Sequence, residues 1–419
     1  MPGLIDAIRI AVRSGTAPGP ELRLALARTE DLATLLAAGR ELRELGDVDE
    51  GLTYRRITVL PSCPPGELEP LLRACLVGAG VRPGLIVAPP RAFAATLAAG
   101  GRPLGADLLL CLLDPAFFLP PEPEPEPDHG PGAGAGSGLG SGPGFGPGSA
   151  FDPIDPIAAI APADPTAPSE LWPHLAERLA VLRTLLGAAL GAGEAVVVLH
   201  TVPLPRVLRD AVLGSRARAA LTGLWHRLNA SLLALADEYP RVRVVDLVGL
   251  LAEAPVPARA DPVRAPADPL GPTAPAYYSP GALLLFAQEV RRIVQAEAGL
   301  SRRALAIDLA SPLWTQAAGE LRRTVERLRD QGVRLVLVGG EPAGPVRALP
   351  LPPLGAAEQL RRAAAVLGLP LEAFVHLDDS ASERSAVAAE LPGVAVVGAE
   401  GPADRLARAL LRHGWFDQP

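Results

Sequence analysis

The sequence contains no lysine, so all 39 of its basic residues are arginines. Methionine occurs once, whereas alanine, glycine, proline and arginine are abundant, which is the composition expected of a GC-rich coding sequence. Acidic residues number 46, and the formal net charge is −7. An acidic balance argues against binding to the phosphate backbone of nucleic acids and against binding to anionic membrane surfaces.

Cysteine is also scarce, and the three that occur, Cys63, Cys75 and Cys111, are far apart. Their odd number and wide spacing predict neither a zinc site nor a disulfide framework. No run approaches the ~18 uninterrupted apolar residues that a membrane helix needs. The first 14 residues are interrupted by three charged side chains, which excludes a signal peptide. We therefore expect a soluble protein in the reducing cytoplasm.

The chain is predicted to be α/β throughout and to consist of three parts. Residues 1–50 form a helical arm of two segments, the second over Leu22–Leu45, which carries leucine and alanine at helical spacing. An α/β domain follows over 51–300, and a smaller α/β domain spans 301–419. Residues 119–168 are rich in proline, glutamate, glycine and serine, which predicts a disordered insertion inside the second part.

Strands and helices are predicted to alternate in both α/β parts, because short apolar runs without polar alternation are typical of buried parallel strands. In 51–300 the predicted strands are Arg56–Leu60, Leu85–Ala88, Ala106–Leu113, Ala195–His200 and Val242–Leu247. The predicted helices there are Gly66–Val77, Arg91–Ala98, Leu171–Leu190, Arg216–Glu238 and Pro280–Ala298. In 301–419 the predicted strands are Ala304–Asp308, Val333–Val338, Ala373–Leu377 and Val394–Val397. The helices are Ala318–Gln331, Ala356–Leu367, Ala381–Leu391 and Ala403–Arg412.

Two of the strands in 301–419 end in aspartate. Asp308 ends the first, and Asp378 and Asp379 follow the third. Ligands of doubly wound sheets bind at the carboxyl ends of the strands. A carboxylate there can act as a nucleophile in phosphoryl transfer, and several carboxylates can hold Mg²⁺. Asp308 is therefore the candidate nucleophile, and all three aspartates are candidate Mg²⁺ ligands. The alternative for Asp378 and Asp379 is a structural role, in which the pair is a helix N-cap followed by an ordinary solvent-exposed charge.

Five segments, in this order, resemble the FkbH-like proteins of polyketide biosynthesis. They are VLPSCPPGELEPLLRACLVGAGV at 59–81, YYSPGALLLFAQEVRRIV at 277–294, AIDLASPLW at 306–314, VRLVLVGGEPA at 333–343 and FVHLDDSASERSAVAAELPGVAVV at 374–397. The resemblance implies a capless haloacid-dehalogenase-like phosphatase domain of the HAD-IIIC type behind an SGNH-hydrolase-like doubly wound domain. It also implies dephosphorylation of 1,3-bisphosphoglycerate, with Mg²⁺, and loading of the glyceryl group onto an acyl-carrier protein through an enzyme cysteine.

The sequence departs from this family pattern at several positions. Ala310 stands where the family has an acidic residue that serves as general acid. Gly339 stands at the phosphoryl-binding Ser/Thr position and Gly340 follows it, so both are assigned to substrate binding. The family lysine near 349–355 is absent, and Arg347 is the nearest cation, although a planar guanidinium does not reproduce a point ammonium. We predict a degenerate member with weakened or lost activity.

A cysteine that carries an acyl group must present a thiolate. Cys63 is the candidate, because it lies in a loop just after the first strand, whereas Cys75 and Cys111 lie in apolar segments and are expected in the core. The expected partners are an acyl-carrier protein and a small phosphorylated acyl substrate. Two other functions stay open: an inactive scaffold that binds a partner, and a phosphatase of small metabolites.

Other polar residues have weaker functional interpretations. Ser62 stands where an SGNH-like serine would be, with His200 and Asn229 as conceivable partners, but such a site is recognised by geometry. His376 is expected to face the side of the sheet opposite to the acidic pair, and hence to be structural.

Overall fold

The computed structural model describes the greater part of the chain. The described residues are 2–46, 51–101, 105–119, 167–254, 256–258, 276–308, 319–338, 354–398 and 403–419. They form a mixed α/β structure with two sheets, and the chain divides into two compact units. The first unit comprises residues 1–55, 67–85 and 283–419, and the second comprises 56–66 and 86–282. The three parts predicted from the sequence, with boundaries at 50 and 300, stay a prediction.

The amino-terminal region contains three helices, α1 (Pro2–Arg13), α2 (Pro20–Arg28) and α3 (Leu32–Glu41). The prediction of one helical segment over Leu22–Leu45 is wrong, because the helix is interrupted before Leu32. The carboxylate of Asp31 accepts a hydrogen bond of 2.8 Å from the backbone N–H of Thr34 and so caps α3. An aspartate at this position starts a new helix although the leucine spacing continues across it.

The helix α4 (Leu68–Gly78) packs against α3. A side chain at Gly39 of α3 would collide with the backbone of Pro70 in α4, so this approach requires a glycine. Most of α4 is buried, including Cys75, as the sequence indicated. The helix therefore serves as a core element of the first unit.

Five strands form the first sheet. They are β1 (Thr53–Pro61), β2 (Val81–Val87), β3 (Leu108–Leu112), β4 (Val196–His200) and β5 (Val242–Val245), in the order β2-β1-β3-β4-β5. The pairs β1–β3, β3–β4 and β4–β5 are parallel. Parallel pairing aligns the carboxyl ends of these strands at one edge, where Ser62, Asp114, Thr201 and Asp246 follow them.

Seven further helices lie between β2 and β6 along the chain, within the described residues. They are α5 (Phe93–Ala98), α6 (Ala167–Ala192), α7 (Arg206–Ala211), α8 (Ser215–Leu233), α9 (Leu235–Glu238), α10 (Leu247–Glu253) and α11 (Pro280–Glu297). Leucines of α6 and α8 pack on β3 and β4 in a core that includes Cys111, a residue expected there. The insertion predicted at 119–168 falls almost entirely outside the described residues, and α6 begins at its end.

The second sheet lies entirely in the first unit. Its strands are β6 (Ala304–Asp308), β7 (Arg334–Val338), β8 (Phe374–Leu377) and β9 (Ala395–Val397), all parallel and in the order β7-β6-β8-β9. The helices that follow them are α12 (Glu320–Asp330), α13 (Ala356–Leu367), α14 (Ala381–Glu390) and α15 (Ala403–Leu411). The strand and helix alternation predicted for 301–419 is therefore confirmed, with bounds shifted by at most two residues.

Alternate residues of these strands fill two separate cores, one on each face of the sheet. Leu305 and Ile307 pack with α12 and α15, whereas Ala304 and Ala306 pack with α13 and α14. Both faces are thus covered by helices, which explains why the strands read as continuous apolar runs. Within the part of the chain that the structure describes, no helix is long and apolar enough to cross a membrane.

Asn229 on α8 is a structural residue, because both polar atoms of its side chain form hydrogen bonds with the backbone of Val202. Its Oδ1 accepts from the N–H of Val202 at 2.8 Å, and its Nδ2 donates to the carbonyl of Val202 at 2.9 Å.

Asn229→Ala should destabilise the protein by about 1–3 kcal/mol, because it leaves the buried N–H of Val202 unsatisfied. A lowered midpoint of urea unfolding would show this. Thr222→Ala on the same helix is the control, and should change stability by no more than about 0.5 kcal/mol. Equal midpoints for the two variants would contradict the assignment.

Candidate functional site

Asp308 and Asp378 end neighbouring strands of the second sheet. β6 pairs in parallel with β8, and the register places Ile307 opposite Leu377. The next residue on each strand is the aspartate, so their backbones stand side by side at the carboxyl edge. On the other side of β6, Asp308 pairs with Val338 of β7. The side chain of Asp308 lies outside the described part of the structure.

The carboxylate of Asp378 is buried and bonded on both oxygens. Its Oδ1 accepts from the backbone N–H of Ser380 at 2.7 Å, and its Oδ2 lies 3.2 Å from Nε2 of His376. Only 2% of the residue is exposed. Burial acts to raise the pKa of Asp378, but the hydrogen bonds from His376 and Ser380 and the positive charge of Arg384 outweigh it, so the pKa is lowered. Asp378 is therefore ionised at neutral pH.

Asp379 is partly exposed, and the turn that carries it is held by Arg384 of α14. Nη1 of Arg384 donates to the carbonyl of Asp379 at 2.7 Å and to that of Asp378 at 3.1 Å. Ser380 caps α14 with a hydrogen bond from the N–H of Glu383. The helix cap foreseen as an alternative is thus present, but it is Ser380 and not the acidic pair that supplies it.

The prediction that His376 faces away from the acidic pair is wrong. His376 is fully buried, and its ring contacts the carboxylate of Asp378. Side chains two residues apart in a strand point to the same face, and this places His376 beside Asp378 although not beside Asp379. The histidine therefore orients one of the candidate metal ligands.

The carboxyl edge offers oxygen ligands of the type that Mg²⁺ prefers. An ionised Asp378 beside a partly exposed Asp379 fits such an ion in charge and donor type. Among the described residues no three His, Cys, Asp or Glu side chains come together as a metal site. The third predicted ligand is the side chain of Asp308, which lies outside the described part of the structure.

The predicted substrate-binding positions Gly339, Gly340 and Arg347 also lie outside the described residues, and so does Ala310. Their roles stay predictions.

In the second unit, Ser62 is paired with Asp114. The hydroxyl of Ser62 donates to Oδ1 of Asp114 at 2.6 Å and accepts from the N–H of Asp114 at 2.9 Å. Burial raises the pKa of Asp114, and the hydrogen bond from Ser62 opposes this. The hydroxyl of Ser62 is thus engaged by Asp114 and not by a histidine.

His200 and Asn229 are not partners of Ser62. Nε2 of His200 accepts from the N–H of Leu113 at 3.0 Å, and Nδ1 bonds the carbonyl of Thr201 at 2.9 Å. Burial lowers the pKa of His200 to about 4, so the ring is neutral at pH 7. Both ring nitrogens are occupied by the backbone, and His200 has no position from which to take a proton from Ser62. The hydrolytic arrangement considered from the sequence is not formed by these residues.

Cys63 lies two residues after the end of β1, as predicted, but it is buried, with 6% of its surface exposed. Burial first, and then the charge of Asp114, raises the pKa of the Cys63 thiol well above its ordinary value. A thiol of this kind is protonated at neutral pH and reacts slowly as a nucleophile. Its assignment as the acyl carrier stays a prediction, and this environment weighs against it.

Asp114 and Arg384 are site residues that the sequence reasoning missed. Asp114 follows an apolar strand in the same way as Asp308, so the rule applied to Asp308 would have identified it. Arg384 lies five residues after Asp379, in the first turn of α14, at a position that resembles an ordinary solvated charge. No local pattern indicates that its guanidinium turns back to the carbonyls of Asp378 and Asp379.

Comparison with known proteins gives one informative match. No family model matches the sequence, and no curated protein does. The structure is similar to a crystal structure of the N-terminal part of the protein BF1531 from Bacteroides fragilis, which contains a phosphatase domain and is complexed with Mg. The TM-score is 0.63 at 15% sequence identity, and the match covers 93% of this chain and 99% of that chain.

This chain has the fold of that phosphatase-containing protein. The Mg bound in that structure is compatible with the Mg²⁺ expected from the sequence, and the haloacid-dehalogenase-like assignment stays a prediction. At 15% identity the likeness concerns the fold alone. The SGNH-like character of the first sheet and the FkbH-like identity stay predictions.

The neutral state of His200 should make stability depend on pH. The folded protein holds the pKa of His200 at about 4, below its ordinary 6.5, so the stabilisation is present above pH 6.5 and is lost as the pH falls towards 4. The loss in free energy of unfolding should be about 3 kcal/mol over that window. Urea unfolding at pH 7 and 4.5 should show a smaller loss in His200→Gln than in the wild type.

His226→Gln is the matched control for this experiment, because His226 is exposed on α8. This variant should keep the pH dependence of the wild type. If folded His200→Gln lost as much stability as the wild type between the two pH values, the neutral, buried state of His200 would be refuted.

Proposed function

We propose that this chain is a FkbH-like protein of secondary metabolism that binds Mg²⁺ and has a strongly weakened phosphoryl-transfer site. Its substrate class is a small phosphorylated acyl compound such as 1,3-bisphosphoglycerate, and the acceptor is the thiol of an acyl-carrier protein. The observation that carries the proposal is the register of β6 against β8. It aligns Asp308 with Asp378 at the edge of the sheet where ligands of such folds bind.

Each residue at this edge would have its own role in the reaction. A carboxylate oxygen of Asp308 would attack phosphorus and form an aspartyl-phosphate, and the bond from phosphorus to the leaving oxygen would break. Mg²⁺, held by Asp308, Asp378 and Asp379, would neutralise charge on the phosphoryl oxygens when bound. His376 and the N–H of Ser380 keep Asp378 ionised and oriented.

The weakness of the site follows from the residues that are missing. The leaving oxygen needs a proton, and Ala310 cannot donate one, which costs ~10²–10⁴-fold in rate. Gly339 offers no hydroxyl to the phosphoryl group, and the chain has no lysine to hold it. The phosphoryl group removed by Asp308 would be the phosphate monoester, whose alkoxide leaving group needs this proton. Attack on the phosphorus of the acyl phosphate would instead release a free carboxylate and leave no activated acyl group for the carrier thiol.

An inactive partner-binding protein is the second candidate function. It is favoured by the buried state of Asp378, whose two carboxylate oxygens are already bonded within the chain. It is also favoured by the buried, protonated Cys63, which is a poor acyl carrier. A plain phosphatase of small metabolites is the third candidate, and the missing acid and lysine count most heavily against it.

Restoring the general acid tests whether the phosphoryl site is intact apart from its missing groups. Ala310→Asp should raise the Mg²⁺-dependent hydrolysis of a phosphate monoester by at least about tenfold, because a positioned acid contributes ~10²–10⁴-fold. Ala310→Asn is the matched control and should show no gain. Asp308→Asn combined with Ala310→Asp should abolish the gain. A normal turnover in the unaltered chain would contradict the weakened site, and no gain in any variant would favour the inactive scaffold.

Intact-protein mass spectrometry tests the acyl transfer. The chain is incubated with Mg²⁺, enzymatically generated 1,3-bisphosphoglycerate and a phosphopantetheinylated carrier protein, beside an active family member that validates both reagents. A glyceryl increment on the carrier that Asp308→Asn abolishes would support the proposal. An increment that persists in Asp308→Asn would move the chemistry to the second unit. Cys63→Ser then asks whether this thiol carries the acyl group, and no increment on either protein would favour the scaffold.

A further inference from the structure

The turn between β8 and α14 carries two of the candidate Mg²⁺ ligands, Asp378 and Asp379, and hydrogen bonds hold it on several sides. The N–H of Asp378 donates to the carbonyl of Val397 in β9 at 3.2 Å. The N–H of Ser380 donates to Oδ1 of Asp378 at 2.7 Å. Both bonds restrain Asp378. The backbone carbonyl of Asp379 is bonded by a side chain instead, that of Arg384.

One nitrogen of Arg384 joins the two aspartates. Its Nη1 donates to the carbonyl of Asp378 at 3.1 Å and to that of Asp379 at 2.7 Å. Two carbonyls that share one donor are held at a fixed separation, and the peptide units that carry the two side chains are held with them. Hydrogen bonds behind metal ligands set the orientation of those ligands and so their affinity for the metal.

The path of this side chain depends on Gly398, the residue that follows β9. A Cβ atom at 398 would collide with Cδ, Nε and Cζ of Arg384. The backbone at 398 is outside the left-handed region that favours glycine, so the close approach of Arg384 explains the glycine. Because the atoms in the way belong to a flexible side chain, an alanine at 398 would displace the guanidinium rather than the backbone.

We propose that Arg384 is a positioning residue of the metal site, which holds the carbonyls of Asp378 and Asp379 at the spacing where their carboxylates bind one Mg²⁺. Gly398 leaves the space that the arginine side chain needs. This inference rests on the proposed function, because it takes the acidic edge to be a Mg²⁺ site. It adds to that site two residues that act through the backbone of the turn.

Isothermal titration calorimetry with MgCl₂ tests this role on the full-length, metal-free chain. Asp379→Asn locates the binding, because it removes one candidate ligand and should weaken the Mg²⁺ affinity. Arg384→Ala removes both hydrogen bonds and should weaken the affinity by at least about tenfold, since bonds from a charged group are strong. Arg384→Lys should stay within about threefold of the parent chain, because a single ammonium can donate to both carbonyls.

Gly398→Ala should weaken Mg²⁺ binding in the parent chain and have no further effect in a chain that carries Arg384→Ala. Such non-additivity is expected of two positions that act through one contact. Gly398→Ala also decides the question if Arg384→Ala does not fold. Two controls should bind Mg²⁺ as the parent does. Arg329→Ala removes a positive charge paired with Asp330 in the last turn of α12, and Gly223→Ala adds a methyl group in open space on α8.

The outcomes separate this inference from the proposed function. No Mg²⁺ binding, or binding that Asp379→Asn leaves unchanged, would overturn the metal site and this inference with it. Binding that Asp379→Asn weakens, but that Arg384→Ala and Gly398→Ala leave unchanged, would overturn this inference alone. So would a loss in Arg384→Ala that Arg384→Lys does not restore. Urea midpoints are measured for every variant, because a purely structural role of Arg384 would lower the midpoint without changing the affinity of the folded chain.

Discussion

The parallel pairing of β6 with its neighbours is the constraint on which the second sheet and its site depend. One set of alternate residues packs with α12 and α15, and the other packs with α13 and α14. A shift of β8 by one residue would exchange its faces, so burial on both sides specifies the register. The same register aligns Asp308 with Asp378. The packing of the strands therefore sets the backbone positions of the two aspartates.

The two sheets use their carboxyl edges differently. In the second unit the polar residues after the strands bond one another or the backbone: Ser62 with Asp114, Thr201 with Asp246. Each polar side chain in these pairs therefore has a hydrogen-bond partner within the protein. In the first unit Asp378 is also bonded within the chain, but Asp379 remains partly exposed.

Much of the architecture could be predicted from the sequence, because apolar runs bounded by glycine, proline or aspartate mark buried strands. β6 and α13 have the predicted bounds, and Gly368 ends α13 in the left-handed conformation that favours glycine. The break before Asp31 was missed because leucine spacing continues across it. The roles of His376 and Arg384 were missed because they depend on contacts of a side chain that periodicity does not locate, whereas Asp114 follows an apolar strand as Asp308 does and could have been identified. Cys63 appeared reactive from its loop position, but burial is a property of the folded chain.

Arg302 has a consequence for the local stability of the second sheet. Its guanidinium bonds carbonyls at the starts of both β8 and β9, so a single side chain fastens two strands at their amino ends. β9 is three residues long and lies at one edge of the sheet, and β7 at the other edge is longer, so β9 is the strand most prone to separate. Its opening must break the contact to Arg302 as well as its ladder with β8. Amide protons of β8 and β9 should therefore exchange with solvent as one cooperative unit rather than by fraying of the edge.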